Sequence, residues 1–354
     1  MTQYYSKTLG YKPLNEDQHV LLDLYCPVTR PANMENGTLP VIVYFHAGGM
    51  VVGSRKDFLP TWLIDRVIPL GYAFISADYR LLIPGTIHET LEDLKDLFKY
   101  LTTNEFICDH YTFKADLDRI AVSGSSAGGL CAYLSAIHCN PKPKVVLSIY
   151  GMGGDFFTEQ LLAIKRDGIT SVGKEIPSIN PADLSGILYP SFKGLAKPIS
   201  EFPFSRTSED PKVKDGYGRG NIFYFLVQRG LYLDYYTGLH EPIGISETLR
   251  EVPKSDKRTQ DDFKRALPEH LHAIFPQLCV DSHWPPTIIL HGVLDDIVPI
   301  TESRHFSGLV KDSGVKVELI EVEGENHGFD VALDAEVKYG AQFDKIRDFI
   351  QEHL

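Results

Sequence analysis

Short apolar runs rich in β-branched residues recur along the chain and alternate with segments of helical spacing. An uninterrupted run of this kind is typical of a strand buried on both faces of a parallel sheet. The runs span residues 41–49, 72–80, 120–123, 144–151, 287–292 and 316–324. The segments with helical spacing span residues 57–70, 86–104, 301–314 and 334–352. Because strands alternate with helices, we predict an α/β protein with a mostly parallel central sheet flanked by helices.

The N-terminal segment follows a different pattern. Residues 3–11 and 18–26 alternate apolar and polar positions, and a polar turn separates them. Alternation with a period of two indicates a strand with one solvated face. We therefore predict an antiparallel hairpin at an edge of the sheet.

Residues 152–285 interrupt the alternation of strands and helices. They separate two core strands that a single helix would normally connect, and they hold several prolines and an aromatic stretch at 222–236. We expect a core of residues 1–151 and 286–354. Residues 152–285 are expected to form an inserted, largely helical cap over the ends of the strands, because this is where ligands bind in open α/β sheets. A separate domain with its own hydrophobic core is the alternative.

The charge balance restricts the class of partner. The formal net charge is −12, from 47 acidic and 35 basic side chains. Nucleic acids and anionic membranes require basic surfaces, so neither is expected as a partner. The sequence contains no apolar run of about 18 residues, so no membrane span is expected. The oligomeric state is left open.

The cysteines and the N-terminus bear on the cellular compartment. The five cysteines form no CxxC pair and no metal-ligand spacing, and the first residues lack the pattern of a signal peptide. We therefore expect reduced thiols, no metal and a cytoplasmic protein. The cysteines are Cys26, Cys108, Cys131, Cys139 and Cys279.

The first candidate for chemistry is Ser126, in the pattern G-x-S-x-G. Residues 120–123 form an apolar strand-like run before it, and residues 130–139 have the small and apolar residues of a helix after it. A strand that turns sharply into a helix at a serine is typical of a nucleophile elbow. A chance turn rich in glycine and serine is the alternative, but the flanking elements favour the elbow.

A serine nucleophile needs a general base, and the base needs an acid that orients it. In the order Ser, acid, His, the downstream candidates are Asp295 or Asp296 after the strand at 287–292, and His327 after the strand at 316–324. We favour Asp295 over Asp296 as the acid. The carboxyl ends of parallel strands meet at one edge of the sheet, so these side chains are expected to lie near Ser126.

The third requirement is a set of N–H donors for the oxyanion of the tetrahedral intermediate. The segment His46-Ala47-Gly48-Gly49 directly follows a predicted strand, and its glycines allow close approach of the backbone. Its N–H groups, together with that of Ala127 after the nucleophile, are the candidate donors. A simple tight turn is the alternative for the glycine pair.

Five segments together resemble the hormone-sensitive-lipase-like branch of the α/β-hydrolases, which includes plant and fungal carboxylesterases. They read HAGGMVVGS, DYRL, GSSAGG, HGVLDD and NHGF. The resemblance covers residues 1–151 and 286–354 but little of the interval between them. It implies an α/β-hydrolase fold, a chemistry that needs no cofactor, and DYRL as a brace for the oxyanion loop. The implied roles are nucleophile for Ser126, acid for Asp295, base for His327, and oxyanion donors for Gly48, Gly49 and Ala127.

The chain departs from the family pattern at three places. Ala47 replaces the first glycine of the family's HGGG motif, which restricts the backbone there. Ser125 replaces the aspartate that often precedes the nucleophile, which removes a charge beside it. The family often builds its cap from an N-terminal extension, whereas this chain has the insertion at 152–285.

These observations predict a serine hydrolase that cleaves a carboxylic ester or lactone of a small, partly apolar molecule through an acyl-enzyme. A thioesterase, an acyltransferase or a cyclising enzyme of small-molecule biosynthesis would use the same acyl-enzyme. A peptidase is less favoured because the sequence holds no long propeller-like gate. A non-catalytic small-molecule receptor is a further alternative, although such relatives typically lose the base and His327 is present.

The aromatic stretch at 222–236 bears on the substrate. We predict that Phe223 and Tyr224 line an apolar substrate pocket. The alternative is that they belong to the core of the cap, which is the more common role of aromatic residues at helical spacing.

Overall fold

The computed structural model describes residues 3–32, 34, 36–192, 198–203, 216–252 and 259–354. Within these residues, nine strands form a mixed sheet in the order β1-β2-β4-β3-β6-β7-β10-β11, with β5 paired to β6. The strands of this sheet are β1 (Tyr4–Pro13), β2 (His19–Pro27), β3 (Thr38–Phe45), β4 (Ala73–Ala77), β5 (Glu105–Ile107), β6 (Thr112–Ser125), β7 (Val145–Ile149), β10 (Thr287–Gly292) and β11 (Val317–Val322). Strands β8 (Ile169–Ser171) and β9 (Lys174–Ile176) form a separate two-stranded sheet in the insertion.

Helices flank the sheet and recur along the described part of the insertion. They are α1 (Thr61–Val67), α2 (Ile87–Thr103), α3 (Ala127–His138), α4 (Glu159–Leu162), α5 (Gly216–Arg229), α6 (Tyr232–Thr237), α7 (Ile245–Arg250), α8 (Gln260–Ala266), α9 (Ile300–Asp312) and α10 (Ala335–His353). In the described part of the chain, no helix is long and apolar enough to cross a membrane.

The N-terminal hairpin is confirmed at the edge of the sheet. Strand β1 pairs with β2 in antiparallel register, and β2 pairs with β4, also in antiparallel register. From β4 to β11 all neighbouring strands on the main path of the sheet are parallel. The sheet is therefore mostly parallel with an antiparallel edge, as the alternation of the sequence predicts.

Strand β6 is longer than the sequence indicates. The apolar run predicts residues 120–123, whereas the strand extends from Thr112 to Ser125. Its first part pairs with the short strand β5 in antiparallel register, and its second part lies between β3 and β7. The partly exposed first part lacks the apolar character by which a buried strand is recognised.

Buried apolar side chains cover both faces of the sheet. Val43 and Tyr44 are neighbours in β3 but belong to different hydrophobic clusters, because successive side chains of a strand point to opposite faces. The insertion contributes Leu226, Tyr232 and Phe275 to the same cluster as Val43. The insertion therefore packs onto one face of the molecule through a shared core.

Two cysteines depart from the sequence expectation. Cys26 at the end of β2 and Cys108 after β5 form a disulfide, with their Cα atoms 6.7 Å apart. The expectation of reduced thiols is wrong for this pair, and the predicted cytoplasmic location loses that support. The two residues lie 82 positions apart in sequence, and no local pattern marks them as partners. The described cysteines that remain free are Cys131, Cys139 and Cys279.

Candidate active site

Ser126 occupies the turn between β6 and α3. Its φ of 53° and ψ of −120° form a strained conformation that non-glycine residues rarely adopt. A Cβ atom at Gly124 would lie 2.0 Å from the carbonyl oxygen of Gly128, and one at Gly128 would lie 2.0 Å from that of Phe45. Both glycines of G-x-S-x-G are thus required because backbone passes where a side chain would be. Ser126 itself is 5% exposed.

Asp295 and His327 come together from the loops after β10 and β11. The Nδ1–H of His327 donates to Oδ2 of Asp295 over 2.6 Å. The other carboxylate oxygen, Oδ1, accepts from the backbone N–H groups of Ile297 and Val298, each at 2.9 Å. The carboxylate is therefore fixed on both oxygens, and Nε2 of His327 is left to face another partner.

The charge of Asp295 is stabilised in a buried position. Burial alone would raise its pKa, but the positive potential and hydrogen bond of His327, together with His291, hold the pKa below its ordinary value. Nε2 of His291 lies 3.2 Å from Oδ2 of Asp295, and Nδ1 lies 2.7 Å from the hydroxyl of Ser303. His291 was not among the predicted site residues, although a histidine inside the apolar run at 287–292 is a signal that could have indicated it.

Asp296 points in another direction. Its carboxylate accepts hydrogen bonds from the backbone N–H groups of Val172 (2.7 Å) and Gly173 (2.8 Å). These residues form the turn of the β8–β9 hairpin in the insertion. The structure thus brings Asp295, and not its neighbour, to His327.

Internal hydrogen bonds orient the N–H of Gly48. Nδ1–H of His46 donates to the carbonyl of Ala47 over 2.7 Å. A trans peptide holds its C=O and N–H in opposite directions, so the N–H of Gly48 points away from the His46 ring. Gly48 has a φ of +126°, and a Cβ there would lie 1.9 Å from the carbonyl oxygen of Val52, so this position requires glycine.

The same reasoning applies to the other two candidate donors. The carbonyl of Gly48 accepts from Val51 (3.0 Å) and Val52 (3.1 Å), which turns the N–H of Gly49 away from them. The carbonyl of Ser126 accepts from the N–H groups of Gly129 and Met152, both at 2.9 Å, and this orients the N–H that follows the serine. That N–H belongs to Ala127, at the first position of α3.

Residues 46–53 carry two of the candidate oxyanion donors, and we call them the oxyanion loop after that candidate role. His46 supports this loop as a neutral group. Burial lowers the pKa of its imidazole to about 4, so the ring is uncharged near neutral pH. The ring stacks on Tyr79 with a centroid separation of 4.3 Å, and the Tyr79 hydroxyl donates to the carbonyl of His46. Nε2 of His46 lies 3.9 Å from Oδ1 of Asp78, too far for a hydrogen bond. Contact between this ring and Asp78 is therefore not an ion pair.

Tyr150 lies between the candidate nucleophile and the candidate base. It follows Ile149, whose carbonyl accepts from the N–H of Ser126 over 2.9 Å. The ring centroid of Tyr150 lies 4.5 Å from that of His327. Its hydroxyl donates to Asp330 over 2.5 Å. Ser126 and His327 thus contact the consecutive residues Ile149 and Tyr150, at the end of β7. Tyr150 was not among the predicted site residues, although its position directly after a core strand is a signal that could have indicated it.

The insertion reaches this site through α5. A Cβ atom on Gly49 would lie 2.4 Å from Cδ2 of Phe223, so this ring rests on the oxyanion loop. The hydroxyl of Tyr224 instead lies 3.0 Å from Oγ of Ser171 in the β8–β9 hairpin. Both rings are half-buried. Phe223 therefore lies beside the candidate oxyanion donors, whereas Tyr224 faces the hairpin.

Glu302 is a buried carboxyl group behind the site. It lies in the first turn of α9, is 1% exposed, and accepts from the N–H of Gly153 over 3.0 Å. Burial, and after it the negative charge of Asp155, raises the pKa of Glu302 to about 8. Gly153 directly follows Met152, which bonds to the carbonyl of Ser126. Glu302 thus supports the segment beside the candidate nucleophile. Because burial disfavours its charged form, ionisation of Glu302 lowers the stability of the fold.

We predict that replacing Glu302 with glutamine flattens the pH dependence of stability. The pKa of Glu302 is higher in the folded state than the ordinary value of 4.5, so between about pH 4.5 and 8 the folded state binds more protons than the unfolded state. Stability therefore falls as the pH rises through this window, and the glutamine variant should recover up to about 4 kcal/mol at pH 8. Urea unfolding from pH 5 to 9 measures this change. Glu352→Gln, at an exposed position, is the control for loss of one charge; equal pH dependence in all three proteins would contradict the prediction.

Two family models match parts of the chain. The BD-FAE family matches residues 22–159, and the prolyl oligopeptidase family matches residues 228–354. Solved structures match over nearly the full length. An alpha/beta hydrolase superfamily protein from Enterococcus faecalis is 18% identical with a TM-score of 0.60, covering 99% of this chain and 100% of its own. A thermophilic esterase, Est2, from Thermogutta terrifontis is 17% identical with a TM-score of 0.55, covering 98% of this chain and 92% of its own.

The curated relatives include polyketide synthases and a carboxylesterase. The non-reducing polyketide synthase pkbA of Emericella nidulans is 23% identical over 94% of this chain but only 13% of the synthase. The synthase prhL of Penicillium brasilianum is 24% identical over 90% of this chain and 12% of its own length. A probable carboxylesterase, M8, of a Phoma species is 32% identical over 31% of this chain and 37% of its own. The chain thus spans a small part of the polyketide synthases that it matches.

Proposed function

We propose that this chain, which has the α/β-hydrolase fold, is a serine hydrolase that cleaves a carboxylic ester or lactone of a small, partly apolar molecule. We also propose that it belongs to the hormone-sensitive-lipase-like branch, on the strength of the motifs around residues 46–54 and 124–129. The observation that carries the catalytic proposal is the short bond between His327 and Asp295 at the same sheet edge as the Ser126 elbow.

The reaction follows from these positions. His327 accepts the proton of the Ser126 hydroxyl at Nε2 while Oγ attacks the carbonyl carbon. Asp295 holds the imidazole in the tautomer that carries its proton on Nδ1 and stabilises the imidazolium. The carbonyl oxygen becomes an oxyanion and is met by the N–H groups of Gly48, Gly49 and Ala127.

The tetrahedral intermediate then collapses to an acyl-enzyme, which water hydrolyses in a second stage. The bond between the acyl carbon and the leaving oxygen breaks, and the imidazolium of His327 returns its proton to that oxygen. The acyl group remains on Ser126. Water, deprotonated by the same imidazole, attacks the acyl-enzyme, and the Ser126 oxygen leaves with the proton. One base therefore serves both stages.

A second candidate function uses the same acyl-enzyme with another donor or acceptor. The polyketide synthases pkbA and prhL match 94% and 90% of this chain, whereas the carboxylesterase matches 31%. This observation favours a thioesterase, an acyltransferase or a cyclising enzyme that acts on an assembled acyl chain. A non-catalytic receptor is less favoured, because the nucleophile, acid and base candidates are all present.

A labelling experiment separates the classes. We expect a fluorophosphonate probe to modify Ser126, identified by peptide mass spectrometry, and Ser126→Ala to remain unlabelled. A panel of esters, lactones and thioesters, with and without an added alcohol or amine acceptor, then distinguishes hydrolysis from transfer, and a set of peptide amides tests for peptidase activity. Absence of labelling together with tight binding of an intact ester would contradict the enzyme and favour the receptor.

We predict that trimming Phe223 changes selectivity for acyl length. Its ring lies beside the candidate oxyanion donors, where it is positioned to contact the acyl chain of a substrate. Phe223→Leu should therefore change the ratio of kcat/KM between long and short acyl esters by about 10- to 200-fold, which corresponds to ~1–3 kcal/mol. A small activated ester should be affected little. The ratio is measured over a series of p-nitrophenyl esters. Tyr224→Leu tests the neighbouring position, where the hydroxyl faces Ser171.

Phe225→Leu is the matched control on the same helix. Phe225 is buried in the hydrophobic cluster, so its loss should lower the melting temperature and leave the chain-length ratio unchanged. If the folded Phe223 and Tyr224 variants both keep the parental ratio, this part of α5 does not line the pocket.

A further inference from the structure

We propose that Arg219, in the first turn of α5, is a positioning residue that holds the oxyanion loop in its working shape. The insertion would then complete the oxyanion hole and not merely cover the substrate. This inference rests on the proposed function.

The contacts of Arg219 join two loops of the core. Its Nε donates to the carbonyl of Val51 over 2.7 Å, and its Nη2 donates to the carbonyls of Leu82 (2.7 Å) and Ile83 (2.5 Å). The N–H of Leu82 in turn donates to the carbonyl of Met50 over 2.8 Å. Arg219 thus fixes the oxyanion loop against the loop that follows the DYRL motif.

This arrangement buries a positive charge, which costs free energy that a simple packing contact would not require. Arg219 is 7% exposed, and burial lowers the pKa of its guanidinium to about 10. The group still carries its charge near neutral pH, and hydrogen bonds from a charged donor are roughly twice as strong as neutral ones. A buried cation that donates hydrogen bonds to backbone carbonyls fixes the orientation of those peptide groups.

The effect reaches the candidate oxyanion donor Gly49 through one hydrogen bond. Val51 donates its N–H to the carbonyl of Gly48, and that carbonyl sets the direction of the N–H of Gly49. The carbonyl of Val51 is the acceptor for Arg219. Moving Val51 therefore turns the peptide that presents the donor.

Two more side chains of the insertion contact the same loop. Phe223 lies one helical turn after Arg219, on the same face of α5, and its ring rests on Gly49. The hydroxyl of Tyr232 in α6 donates to the carbonyl of Gly49 over 3.3 Å. The insertion therefore contacts the donor segment from several directions, and Arg219 supplies the charged contact.

The test compares Arg219→Met with Arg219→Lys and with Arg250→Met. Arg250 is a matched control because it also donates to backbone carbonyls, those of Leu162 and Gly230, but within the insertion. For each folded variant we would measure kcat and KM on a short activated ester, the rate of fluorophosphonate labelling, and the inhibition constant of a trifluoromethyl ketone. The ketone forms a hemiacetal-like oxyanion with the serine and so reports on the oxyanion hole.

We expect Arg219→Met to lower kcat and weaken the ketone by a similar factor of about 10 to 100, less than the loss of a whole oxyanion donor. KM should change less than about threefold, since the ground state makes little use of these N–H groups. Arg219→Lys should keep part of the parental kcat, and guanidine added to Arg219→Met should restore part of it. Arg250→Met should lower the melting temperature without these kinetic changes.

Two outcomes would overturn the inference. One is Arg219→Met with parental kcat and ketone affinity per titrated active site. The other is an equal kinetic loss in Arg250→Met, which would indicate a general loosening of the insertion. A wild-type protein that neither reacts with the phosphonate at Ser126 nor hydrolyses any ester would instead contradict the proposed function, so the two failures are distinguishable.

Discussion

Replacing Ser126 with alanine is expected to lower kcat by roughly three to six orders of magnitude with the fold intact, because the members of a triad act as a unit. His327→Ala is expected to cause a loss of similar size. Both losses follow from the same proton transfer, since neither the nucleophile without its base nor the base without its nucleophile forms the acyl-enzyme at a useful rate. Steady-state turnover and circular dichroism of each purified variant measure the two quantities.

Ser125→Ala is the matched control for the nucleophile. Its side chain accepts from the Tyr44 hydroxyl over 3.0 Å and is one residue from the elbow position. Its loss should reduce turnover far less than that of Ser126. Retention of more than about a tenth of parental turnover by Ser126→Ala would show that another group is the nucleophile.

The two neighbouring aspartates are expected to differ sharply. Asp295→Asn should lower kcat by about four orders of magnitude, because an amide at this position favours the wrong tautomer of His327. Asp296→Asn should change kcat by less than about tenfold, because its carbonyl oxygen still accepts a hydrogen bond from the β8–β9 hairpin. Turnover of both variants, measured from pH 5 to 9, tests this ranking. The reverse ranking would transfer the role of acid to Asp296.

The features that sequence could predict are those in which local pattern and three-dimensional position coincide. The elbow is one, since Gly124 and Gly128 are required by the same tight turn that presents Ser126. The N-terminal hairpin and the parallel strands are others, because periodicity reflects burial directly.

The features that could not be predicted from the sequence depend on the direction in which a side chain points or on contacts with residues far away in the chain. Asp295 and Asp296 are consecutive, and only the course of the loop sends one to His327 and the other to the hairpin. Arg219 stands among glycines in a segment with no distinctive pattern, and its acceptors lie more than 130 positions away. The disulfide between Cys26 and Cys108 likewise forms only when the sheet is assembled. Such contacts are products of tertiary structure.

The shared hydrophobic cluster has a consequence for how this insertion could have been acquired. Leu130 and Tyr133 of α3 belong to the same cluster as Leu226, Tyr232 and Phe275 of the insertion. Removing the insertion would expose apolar side chains of this cluster to water, so we expect the sheet and the insertion to unfold as one cooperative unit. We therefore do not expect the insertion to be replaceable independently of the core. A change in its length or composition is expected to require matching changes in α3, so the two parts should coevolve.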